Sequence, residues 1–335
     1  MINIGVVGYG YWGPNLVRNF MSTGISEVVV VCDLNLQRLA RFASEFPRVR
    51  ITNSLTDLLN DISVDAVVVS TPLNTHFEIA MAALNAGKHV LIEKPIASSA
   101  VHAEQLIEEA DKRGLVLMVD HTFLYTPAVR KIRELVRHPD FGNINYFDST
   151  RVNLGLFQQD VSVLWDLAVH DLSIMSFLID KNPRAVSATG KSRSSDPFEY
   201  ASFLTVFYDD IIAHVNVNWL SPVKIRRTLV GGSGKMLVYD DLDPSEKIKL
   251  YDKGVTIVEN EDEKQKYLIS YRTGDMIAPK LDQTEALKIM VLHFLECIER
   301  ASTPISSGED GLVLVRILEA ADVSIRQRGT PQELL

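Results

Sequence analysis

Residues 2–14 read INIGVVGYGYWGP, and Asp33 follows 20 residues after the last glycine of that stretch. An apolar run enters the spacing Gly8-x-Gly10-x-x-Gly13, which is the fingerprint of a dinucleotide-binding turn between a strand and a helix. Gly8 permits the tight turn, Gly10 lets the backbone approach a pyrophosphate, and Gly13 lets the helix lie close to the strand. The N–H groups at the start of that helix can bind phosphate. The stretch therefore predicts a Rossmann domain that binds a nicotinamide dinucleotide.

The acidic residue after the second predicted strand indicates which dinucleotide is bound. Residues 27–32 (EVVVVC) form a β-branched run that suits a strand buried on both faces. Asp33 ends this strand, where its carboxylate can accept hydrogen bonds from the adenosine ribose and repels the 2′-phosphate of NADP. Leu34 follows in place of a cation, although Arg38, about one helical turn further on, would favour NADP. We therefore predict NAD as the cofactor, with NADP as the less favoured alternative.

Length and composition limit the class of protein. At 335 residues, with 46% hydrophobic and 23% charged residues, the chain is expected to form about two globular domains. A net charge of −9 argues against nucleic acid as a partner, because phosphate binding needs clustered Lys and Arg. Two cysteines make no disulfide framework, and no apolar run is long enough to span a membrane. The N-terminus leads directly into a strand and leaves no room for a signal peptide, so we predict a cytoplasmic protein.

The first 120 residues alternate between predicted strands and helices, which is typical of a parallel sheet with helices on both faces. The strands are predicted at 2–7, 28–33, 66–70, 89–93 and 115–119, and the helices at 12–21, 36–46, 77–85 and 100–113. We assign residues 1–120 to an NAD-binding Rossmann domain. Ligands of such sheets bind beyond the carboxyl ends of the strands, so the loops there are the first candidates for a site.

The pattern changes after residue 120. Helices are predicted at 124–137 and 163–179, and two more helices close the chain. Short strands are predicted between them at 203–208, 211–219, 225–230, 235–239, 248–250 and 255–257. Such a series is typical of an α+β domain with a large open, mostly antiparallel sheet, and the charged stretch 259–266 is expected to be a solvated loop. We assign residues 121–335 to this second domain.

Three predicted loops meet at the carboxyl edge of the parallel sheet. They are the glycine turn, residues 70–76 (STPLNTH) and Glu93-Lys94-Pro95. His76 and His121 could both lie near the site, although a structural role is the simpler expectation for each. The residues that we assign to the cofactor are Gly8, Gly10, Tyr11, Trp12, Gly13, Asp33, Arg38, Ser70, Thr71, Pro72, Asn74, His76, Glu93 and Lys94.

Three further side chains could carry acid–base chemistry. Lys94 follows a predicted strand at the edge where nicotinamide and substrate would meet, so its ammonium could stabilise charge on a reacting oxygen. Asp166 and His170 are four residues apart, which places them on one face of a helix. The carboxylate can orient the imidazole, which can then take a proton from an alcohol. No cluster of His and Cys has metal-ligand spacing, so we predict no metal.

These motifs together resemble those of the Gfo/Idh/MocA oxidoreductase family. The resemblance lies in the glycine fingerprint, residues 70–76, Glu93-Lys94-Pro95 and Asp166-x-x-x-His170, and it covers residues 5–171. It implies a Rossmann domain followed by a substrate-binding and oligomerisation domain with an open sheet, which in the family commonly forms dimer or tetramer contacts. It also implies that Lys94, Asp166 and His170 form the catalytic set.

Three stretches narrow the resemblance to the branch of the family that oxidises or reduces nucleotide-linked sugars, and in particular to UDP-N-acetylglucosamine 3-dehydrogenases. They are residues 8–19 (GYGYWGPNLVRN), 121–130 (HTFLYTPAVR) and 165–173 (WDLAVHDLS). The similarity implies a UDP-sugar as substrate and a secondary hydroxyl, such as that at C3, as the reacting group. The candidates for substrate contact are Lys94, Tyr125, Arg151, Asn153, Asp166, His170 and Arg226, and two of them could meet a diphosphate.

Two other functions stay open at this point. The first keeps the enzyme and changes the substrate to a free polyol or sugar, such as an inositol. The second is a sensor or scaffold that holds NAD without chemistry, and the set of Lys94, Asp166 and His170 argues against it because a sensor needs no acid–base group beside nicotinamide. A homodimer or homotetramer is expected for the enzyme.

Overall fold

The computed structural model describes residues 1–155, 161–192, 199–252, 254–258, 268–272 and 274–334. The chain divides into a first unit, Met1–Thr126 with Thr284–Glu319, and a second unit, Pro127–Gln283 with Ala320–Leu335. Residues 284–319 therefore fold with the N-terminal part of the chain, whereas the sequence analysis assigned everything after residue 120 to one domain. The functional roles assigned to the two domains stay predictions.

A six-stranded parallel sheet forms the centre of the first unit, in the order β3-β2-β1-β4-β5-β6. Its strands are β1 (Ile2–Val7), β2 (Ser26–Cys32), β3 (Arg50–Thr52), β4 (Ala66–Val69), β5 (His89–Glu93) and β6 (Leu117–Asp120). Every residue of β4 (AVVV) and β6 (LMVD) is buried, as expected for strands that are covered on both faces. This strand order is that of the Rossmann fold, and the predicted fold class is confirmed for this unit.

Helices connect these strands and cover both faces of the sheet. Asn35 caps one of them by accepting hydrogen bonds from the N–H groups of Gln37 and Arg38, and Gly114 ends another in the left-handed conformation. The helices are α1 (Gly13–Met21), α2 (Leu36–Glu45), α3 (Leu55–Leu59), α4 (His76–Asn85) and α5 (Ala100–Arg113). The short elements β3 and α3 were not predicted, because three and five residues are too few to show a hydrophobic period.

Helix α8 (Ala286–Arg300) explains why residues near the end of the chain belong to the first unit. The ring of Phe20 on α1 is fully buried and packs edge-on against Phe294 of α8, with ring centroids 6.3 Å apart. Arg18 of α1 forms a bidentate pair with Glu285, directly before α8, at 2.6 and 3.0 Å. The sequence shows the apolar face of α8 but not the helix that it covers. Helix α9 (Gly308–Arg326) follows, and its residues divide between the two units at Glu319.

The second unit contains a nine-stranded mixed sheet in the order β16-β13-β12-β11-β7-β10-β9-β8-β17. Strands β7 and β10 run parallel, and the other neighbouring pairs are antiparallel. The strands are β7 (Ile144–Leu154), β8 (Ala185–Ser192), β9 (Glu199–Phe207), β10 (Ile212–Asn218), β11 (Leu220–Gly232), β12 (Met236–Asp240), β13 (Ile248–Tyr251), β16 (Met276–Ile277) and β17 (Gln332–Glu333). A separate antiparallel pair consists of β14 (Gly254–Val258) and β15 (Leu268–Arg272).

One face of the large sheet is buried and the other is open. In β10, Ala213, Val215 and Val217 are buried, and the residues between them are exposed or half-buried. On the buried face, α7 (Val169–Ile179) contacts β7 and β10, and α6 (Pro127–Val136) packs against α7. The predicted mostly antiparallel open sheet is therefore confirmed.

The strand at the centre of this sheet was missed by the sequence analysis. Strand β7 pairs with both β10 and β11, yet Ser149 and Arg151 are among its buried residues. A strand whose buried face includes polar side chains does not show the apolar alternation on which a prediction depends. The predicted solvated loop at 259–266 lies outside the described residues. In the described part of the chain, no helix is both long and apolar enough to cross a membrane.

The backbone at Gly8 gives a stability prediction. Its φ is +94°, and a Cβ added there would lie 2.2 Å from the carbonyl oxygen of Ser70 at the end of β4. Gly8→Ala is expected to destabilise the protein by about 3 kcal/mol or more, because it combines backbone strain with a backbone clash. Urea unfolding followed by fluorescence measures the change.

Gly24→Ala is the matched control for this prediction. Gly24 also has a positive φ, +73°, but a Cβ there would meet no atom within 4 Å. Only the strain of a positive φ remains in this variant, so its free energy of unfolding is expected to fall by about 1 kcal/mol. Equal losses for the two variants would show that the close approach of Gly8 to Ser70 is not a constraint on the fold.

Candidate functional site

The glycine turn between β1 and α1 has a closed side and an open side. A Cβ on Gly13 would lie 2.5 Å from the carbonyl oxygen of Gly8, so the turn excludes a side chain there. A Cβ on Gly10 would have Arg38 Nη1, at 3.8 Å, as its nearest neighbour. No side chain caps the N-terminus of α1. The turn therefore leaves room at Gly10 and presents a helix N-terminus, as a bound pyrophosphate requires.

Asp33 lies at the end of β2, beside the glycine turn, and is 8% exposed. Its Oδ2 accepts a hydrogen bond from the N–H of Tyr9 at 2.7 Å, and its Oδ1 accepts one from the N–H of Asn35 at 2.7 Å. Arg38 Nη1 lies 3.7 Å from Oδ2. The carboxylate therefore joins the turn to the start of α2, at the place expected for an adenosine ribose. The cation that would favour a 2′-phosphate lies within reach of the same carboxylate.

The loop after β4 is braced by a buried histidine. The two ring nitrogens of His76 lie 2.8 Å from the carbonyl oxygens of Pro95 and Thr71, and the ring is 1% exposed. Burial lowers the pKa of His76, with a further contribution from the charge of Lys94. In this structure His76 joins the loop after β4 to the loop after β5, which is the structural alternative considered for it. Pro72 and Asn74 of the same loop are exposed.

Lys94 lies at the carboxyl end of β5, where the predicted catalytic role requires it. The Lys94–Pro95 peptide bond is cis. The backbone N–H of Lys94 donates to Oε2 of Glu93 at 3.1 Å. Glu93 and Asp120 are register partners at the ends of the neighbouring strands β5 and β6. Charged groups from two strands therefore gather at one edge of the sheet.

Asp120 is a site residue that the sequence analysis did not identify. Its Oδ2 accepts a hydrogen bond from the indole Nε1 of Trp12 at 2.8 Å, and its Oδ1 accepts one from the hydroxyl of Thr122. Trp12 belongs to the glycine turn, so this bond connects the turn to the far end of the sheet. The sequence could have indicated Asp120 as an acidic residue at the end of a strand. The strand was predicted to end at residue 119, one residue before Asp120.

His121 follows Asp120 and is 1% exposed. In the described residues neither of its ring nitrogens has a hydrogen-bond partner. Burial, together with the nearby charge of Lys94, lowers the pKa of His121 to about 3. The ring is therefore neutral at physiological pH and lies close to the predicted catalytic lysine.

In the second unit, Asp166 and His170 lie on one helical segment, as the spacing predicted. Asp166 is part of a π-helical turn, Leu164–Ala168, that leads into α7. The indole Nε1 of Trp219 donates to Oδ2 of Asp166 at 3.3 Å, and Trp165 in the turn donates to Asp322 at 2.9 Å. Both Asp166 and His170 are half-buried. Single π-helical turns occur frequently at functional sites, and this one contains Asp166 and leads into the helix of His170.

The structure gives Arg151 a role other than the predicted substrate contact. Its guanidinium is buried and pairs with Asp171, with Nε 2.5 Å from Oδ2. Ser149 donates a further hydrogen bond to Asp171 at 2.6 Å. The pair joins α7 to β7, and breaking a buried pair from one side is costly. We therefore do not retain Arg151 as a diphosphate contact. Asp171 is thus a structural residue that connects α7 to the sheet.

Tyr125 is also removed from the substrate candidates by its surroundings. It is fully buried, and its hydroxyl lies 2.9 Å from Oγ of Ser306 in the first unit. Arg226 pairs with Asp241 at 3.3 Å and is about one-third exposed. Asn153 is half-buried on β7. Arg226 and Asn153 stay predictions, whereas a role for Tyr125 would require a buried hydroxyl to leave its partner.

The described residues contain no group of three or more His, Cys, Asp or Glu side chains that could hold a metal ion. The acidic and basic groups of the first unit instead gather around Lys94, beside a turn suited to a dinucleotide. Those of the second unit gather around the π-helical turn. This chemistry suits proton transfer combined with a nicotinamide cofactor.

Comparison with known proteins is consistent with these features. Residues 2–121 match the family model for the NAD-binding Rossmann fold of the Gfo/Idh/MocA oxidoreductases, and residues 129–238 match the C-terminal domain of the same family. UDP-N-acetylglucosamine 3-dehydrogenase of Acidithiobacillus ferrooxidans is 33% identical over 63% of this chain, and the match spans 65% of that protein's length. Its solved structure superposes with a TM-score of 0.82 at 26% identity, covering 97% of this chain and 98% of the other.

Other relatives carry different names. The scyllo-inositol 2-dehydrogenase (NADP(+)) IolW of Bacillus subtilis is 23% identical over 98% of this chain and 95% of its own length. GenD2 from gentamicin A biosynthesis, solved in complex with NAD, superposes with a TM-score of 0.84 at 22% identity and covers 100% of this chain and 96% of its own. The last likeness shows the fold alone. With two family models matched across most of its length, the chain belongs to the Gfo/Idh/MocA family of NAD-binding oxidoreductases, whose relatives oxidise or reduce CH–OH groups of sugars and polyols.

Proposed function

We propose that this protein is an NAD-dependent dehydrogenase that acts on a secondary hydroxyl of a nucleotide-linked sugar, at C3 of a UDP-sugar. The observation that carries the acid–base part of the proposal is the geometry of Asp166 and His170 on the π-helical turn and α7. The substrate part is supported by the 33% identity to a UDP-N-acetylglucosamine 3-dehydrogenase. That match spans part of the relative's length, so its substrate is carried here as a proposal.

In the proposed reaction His170 takes the hydroxyl proton of the sugar. The O–H bond breaks as this proton leaves, the C–H bond of the carbinol carbon breaks as hydride leaves for the bound dinucleotide, and the C–O single bond becomes a carbonyl, while every other bond of the sugar is unchanged. Asp166 orients the His170 ring and favours its protonated form. Lys94 donates a hydrogen bond to the reacting oxygen and stabilises the negative charge that develops on it. In the reverse direction His170 returns the proton.

The residues around the glycine turn fit a dinucleotide. Gly8 and Gly13 occupy positions where a Cβ would overlap backbone, and Gly10 is open. The start of α1 would hold the pyrophosphate, and Asp33 would hold the adenosine ribose. When bound there, the nicotinamide supplies the hydride acceptor. The half-buried and exposed residues of the loop after β4, together with Glu93 and Lys94, would line the nicotinamide half.

The preference for NAD over NADP is proposed to depend on the charge of Asp33. Asp33→Asn keeps one oxygen to accept the Tyr9 N–H, loses the acceptor of the Asn35 N–H, removes the charge that repels a 2′-phosphate, and leaves Arg38 in place. Because the lost hydrogen bond affects both cofactors, the ratio of the two Kd values reports the effect of the charge. The ratio of Kd for NADP to Kd for NAD is expected to fall about tenfold or more, equivalent to about 1.4 kcal/mol. Quenching of tryptophan fluorescence measures both constants.

Asp65→Asn serves as the control for cofactor preference. Asp65 also accepts a hydrogen bond from a backbone N–H, that of Asn3 at 2.8 Å, but at the opposite end of β1. The substitution should leave the ratio unchanged. A wild-type protein that binds NADP more tightly than NAD would contradict the proposed cofactor.

The proposed reaction predicts NADH formation from NAD and one member of a panel of UDP-sugars. His170→Asn and Lys94→Met are each expected to lower kcat/KM by about 10²-fold or more, because one removes the proton acceptor and the other the oxyanion donor. Absorbance of NADH measures turnover. His138→Asn is the control. His138 belongs to the same unit as His170, but it is exposed and its ring lies beside Asp140, a residue to which no catalytic role is assigned.

The same panel should contain free inositols and other uncharged polyols. The 23% identity to an inositol dehydrogenase across nearly the whole chain supports a free polyol as the second candidate substrate. Turnover of polyols without turnover of any UDP-sugar would replace the first candidate by the second. NAD binding with no turnover on either class would favour the non-catalytic sensor.

We also propose that a second copy of the chain covers the open face of the nine-stranded sheet. Exposed apolar side chains lie on this face, among them Phe203 on β9 at 61%, Ile212 on β10 and Ile225 on β11. The strand register places these three residues on the same face of the sheet, which is the face opposite α7. A patch of exposed apolar residues on one sheet face is typical of an interface between subunits.

A charge placed on this face should break the proposed assembly. Phe203→Asp is expected to convert the dimer or tetramer to smaller species, because a buried carboxylate would lack a partner in the interface. Light scattering after size-exclusion chromatography measures the mass. Ile62→Asp, at a position 96% exposed in the first unit, is the control. A monomeric wild-type protein would refute the assembly.

A further inference from the structure

Helix α7, which contains His170, has no exposed side. Eight of its eleven residues are buried and the other three, among them His170, are half-buried. An amphipathic helix is oriented by its apolar stripe, whereas a helix that is apolar all round has no such stripe. At about 100° per residue, the apolar residues of α7 point in every direction around its axis; they are Val169, Leu172, Ile174, Met175, Phe177, Leu178 and Ile179. Hydrophobic burial therefore determines the rotation of α7 about its own axis only weakly.

A buried ion pair supplies the orientation that the apolar residues do not. Asp171 accepts hydrogen bonds on Oδ2 from Nε of Arg151 at 2.5 Å and on Oδ1 from Oγ of Ser149 at 2.6 Å. A second N–H group of Arg151, on Nη2, donates to Oδ1 at 3.4 Å. Ser149 and Arg151 both belong to β7, the central strand of the nine-stranded sheet. Two side chains of one strand thus hold both oxygens of a carboxylate on the helix.

The burial of this pair makes its alignment specific. Arg151 is 3% exposed and Asp171 is 2% exposed. A rotation of α7 that separated them would leave two buried charges without partners, which is strongly destabilising. Apolar side chains, by contrast, tolerate an exchange of neighbours when the total volume is kept. Single buried polar residues fix the alignment of packed helices in coiled coils for the same reason. The pair therefore selects one rotational setting of α7 among those that burial permits.

The rotation of α7 decides where the imidazole of His170 lies. His170 directly precedes Asp171, so the two side chains move together. A rotation of about 20° displaces an atom that is about 6 Å from the helix axis by about 2 Å. Proton transfer needs hydrogen-bond contact, and a displacement of about 1 Å can lower a rate about 10²-fold. The indole contacts of the π-helical turn lie before the start of α7, whereas Asp171 lies within it.

We propose that Arg151 and Asp171 are positioning residues that set the rotation of α7 and thereby hold the His170 ring in one orientation. The catalytic part of this inference rests on the proposed function, because it requires His170 to be the proton acceptor. The rotational part does not, because it concerns the protein without cofactor or sugar. The two parts are therefore tested by separate measurements.

The double variant Arg151→Met/Asp171→Leu removes the pair without leaving a buried charge. Replacement of a buried ion pair by apolar residues of similar volume is often neutral or stabilising. The Tm of the double variant is therefore expected to equal or exceed that of the wild type. The hydroxyl of Ser149 keeps that of Thr228, at 3.3 Å, as a partner. A loss of orientation in a protein of undiminished stability cannot result from general unfolding.

The rotational part is measured by NMR of the imidazole Cε1–H groups in protein labelled at histidine. The resonance of His170 is identified by its absence in His170→Asn. The wild type should show one sharp resonance for this ring. In the double variant this resonance should move and broaden or split, because α7 then adopts more than one rotational setting. The pair has no net charge, so its removal leaves the net charge beside the ring unchanged.

Arg184→Met/Asp209→Leu is the matched control for the NMR experiment. That pair, at 2.8 Å, also belongs to the second unit, but both of its side chains are exposed. Its removal should leave the His170 resonance unchanged. An unchanged His170 resonance in a folded Arg151→Met/Asp171→Leu protein would refute the role of the buried pair.

Arg151→Lys decides the question if the double variant does not fold. It keeps both buried charges but replaces the two-point contact of the guanidinium by a single ammonium. The His170 resonance should move in this variant, by less than in a folded double variant. A wild-type resonance in Arg151→Lys, with the double variant unfolded, would overturn the inference.

The catalytic part is tested with the substrate that the panel identifies. The double variant should lower kcat about tenfold or more and leave the Kd for NAD unchanged, because the residues proposed to hold the dinucleotide belong to the first unit. Introduced into His170→Asn, the same two substitutions should cause no further loss, since residues that act through His170 have nothing left to position. A further tenfold loss in that background would show that the pair acts independently of His170. If no sugar or polyol is turned over, the proposed function fails while the NMR result still decides the rotation of α7.

Discussion

The parallel register of the six-stranded sheet is the constraint on which the candidate site of the first unit depends. Because β1, β2, β4, β5 and β6 run in the same direction, their carboxyl ends lie along one edge. Residues far apart in the chain, such as Trp12 and Asp120, can therefore form a hydrogen bond at 2.8 Å. The close approach of Gly8 to Ser70 belongs to the same edge. Side chains there are held by backbone geometry rather than by flexible loops.

Burial gives these polar groups their chemical properties. His76 lies between two carbonyl oxygens, His121 has no hydrogen-bond partner among the described residues, and Glu93 lies against a second carboxyl group. Burial lowers the pKa of His76 and His121 and raises that of Glu93, although the two carbonyl oxygens beside His76 oppose the effect of burial there. Perturbed titratable groups that cluster in this way are typical of functional sites. In the second unit, Asp166 lies in a π-helical turn and accepts a hydrogen bond from the indole of Trp219. The indole of Trp165, in the same turn, donates to Asp322.

The relatives are named for several different substrates, among them UDP-N-acetylglucosamine, scyllo-inositol and D-apiose. The glycine turn and Asp33 have a geometry that suits a dinucleotide, a cofactor common to the oxidation of many alcohols. Most of the predicted substrate contacts lie in the second unit. There the structure assigns the buried Arg151 to Asp171 and leaves Arg226 and Asn153 as candidates. Membership of the family therefore indicates the reaction class and leaves the sugar open.

The sequence by itself determined the elements whose signals are local. The glycine fingerprint and Asp33 indicated the Rossmann unit, and the spacing of Asp166 and His170 indicated a common helical face. All five strands predicted in the first 120 residues coincide with observed strands to within two residues at each end. These features depend on periodicity and on turn residues, which a single stretch of chain contains.

Tertiary structure alone decided the features that need a distant partner. It placed α8 with the first unit, made β7 the centre of the large sheet despite its buried Ser149 and Arg151, and removed Tyr125 and Arg151 from the substrate candidates. It also brought Glu93 beside Asp120, residues 27 positions apart that the order of the strands makes neighbours. A side chain's burial and its partner are set by strand order and packing, and neither is encoded in the local pattern around it.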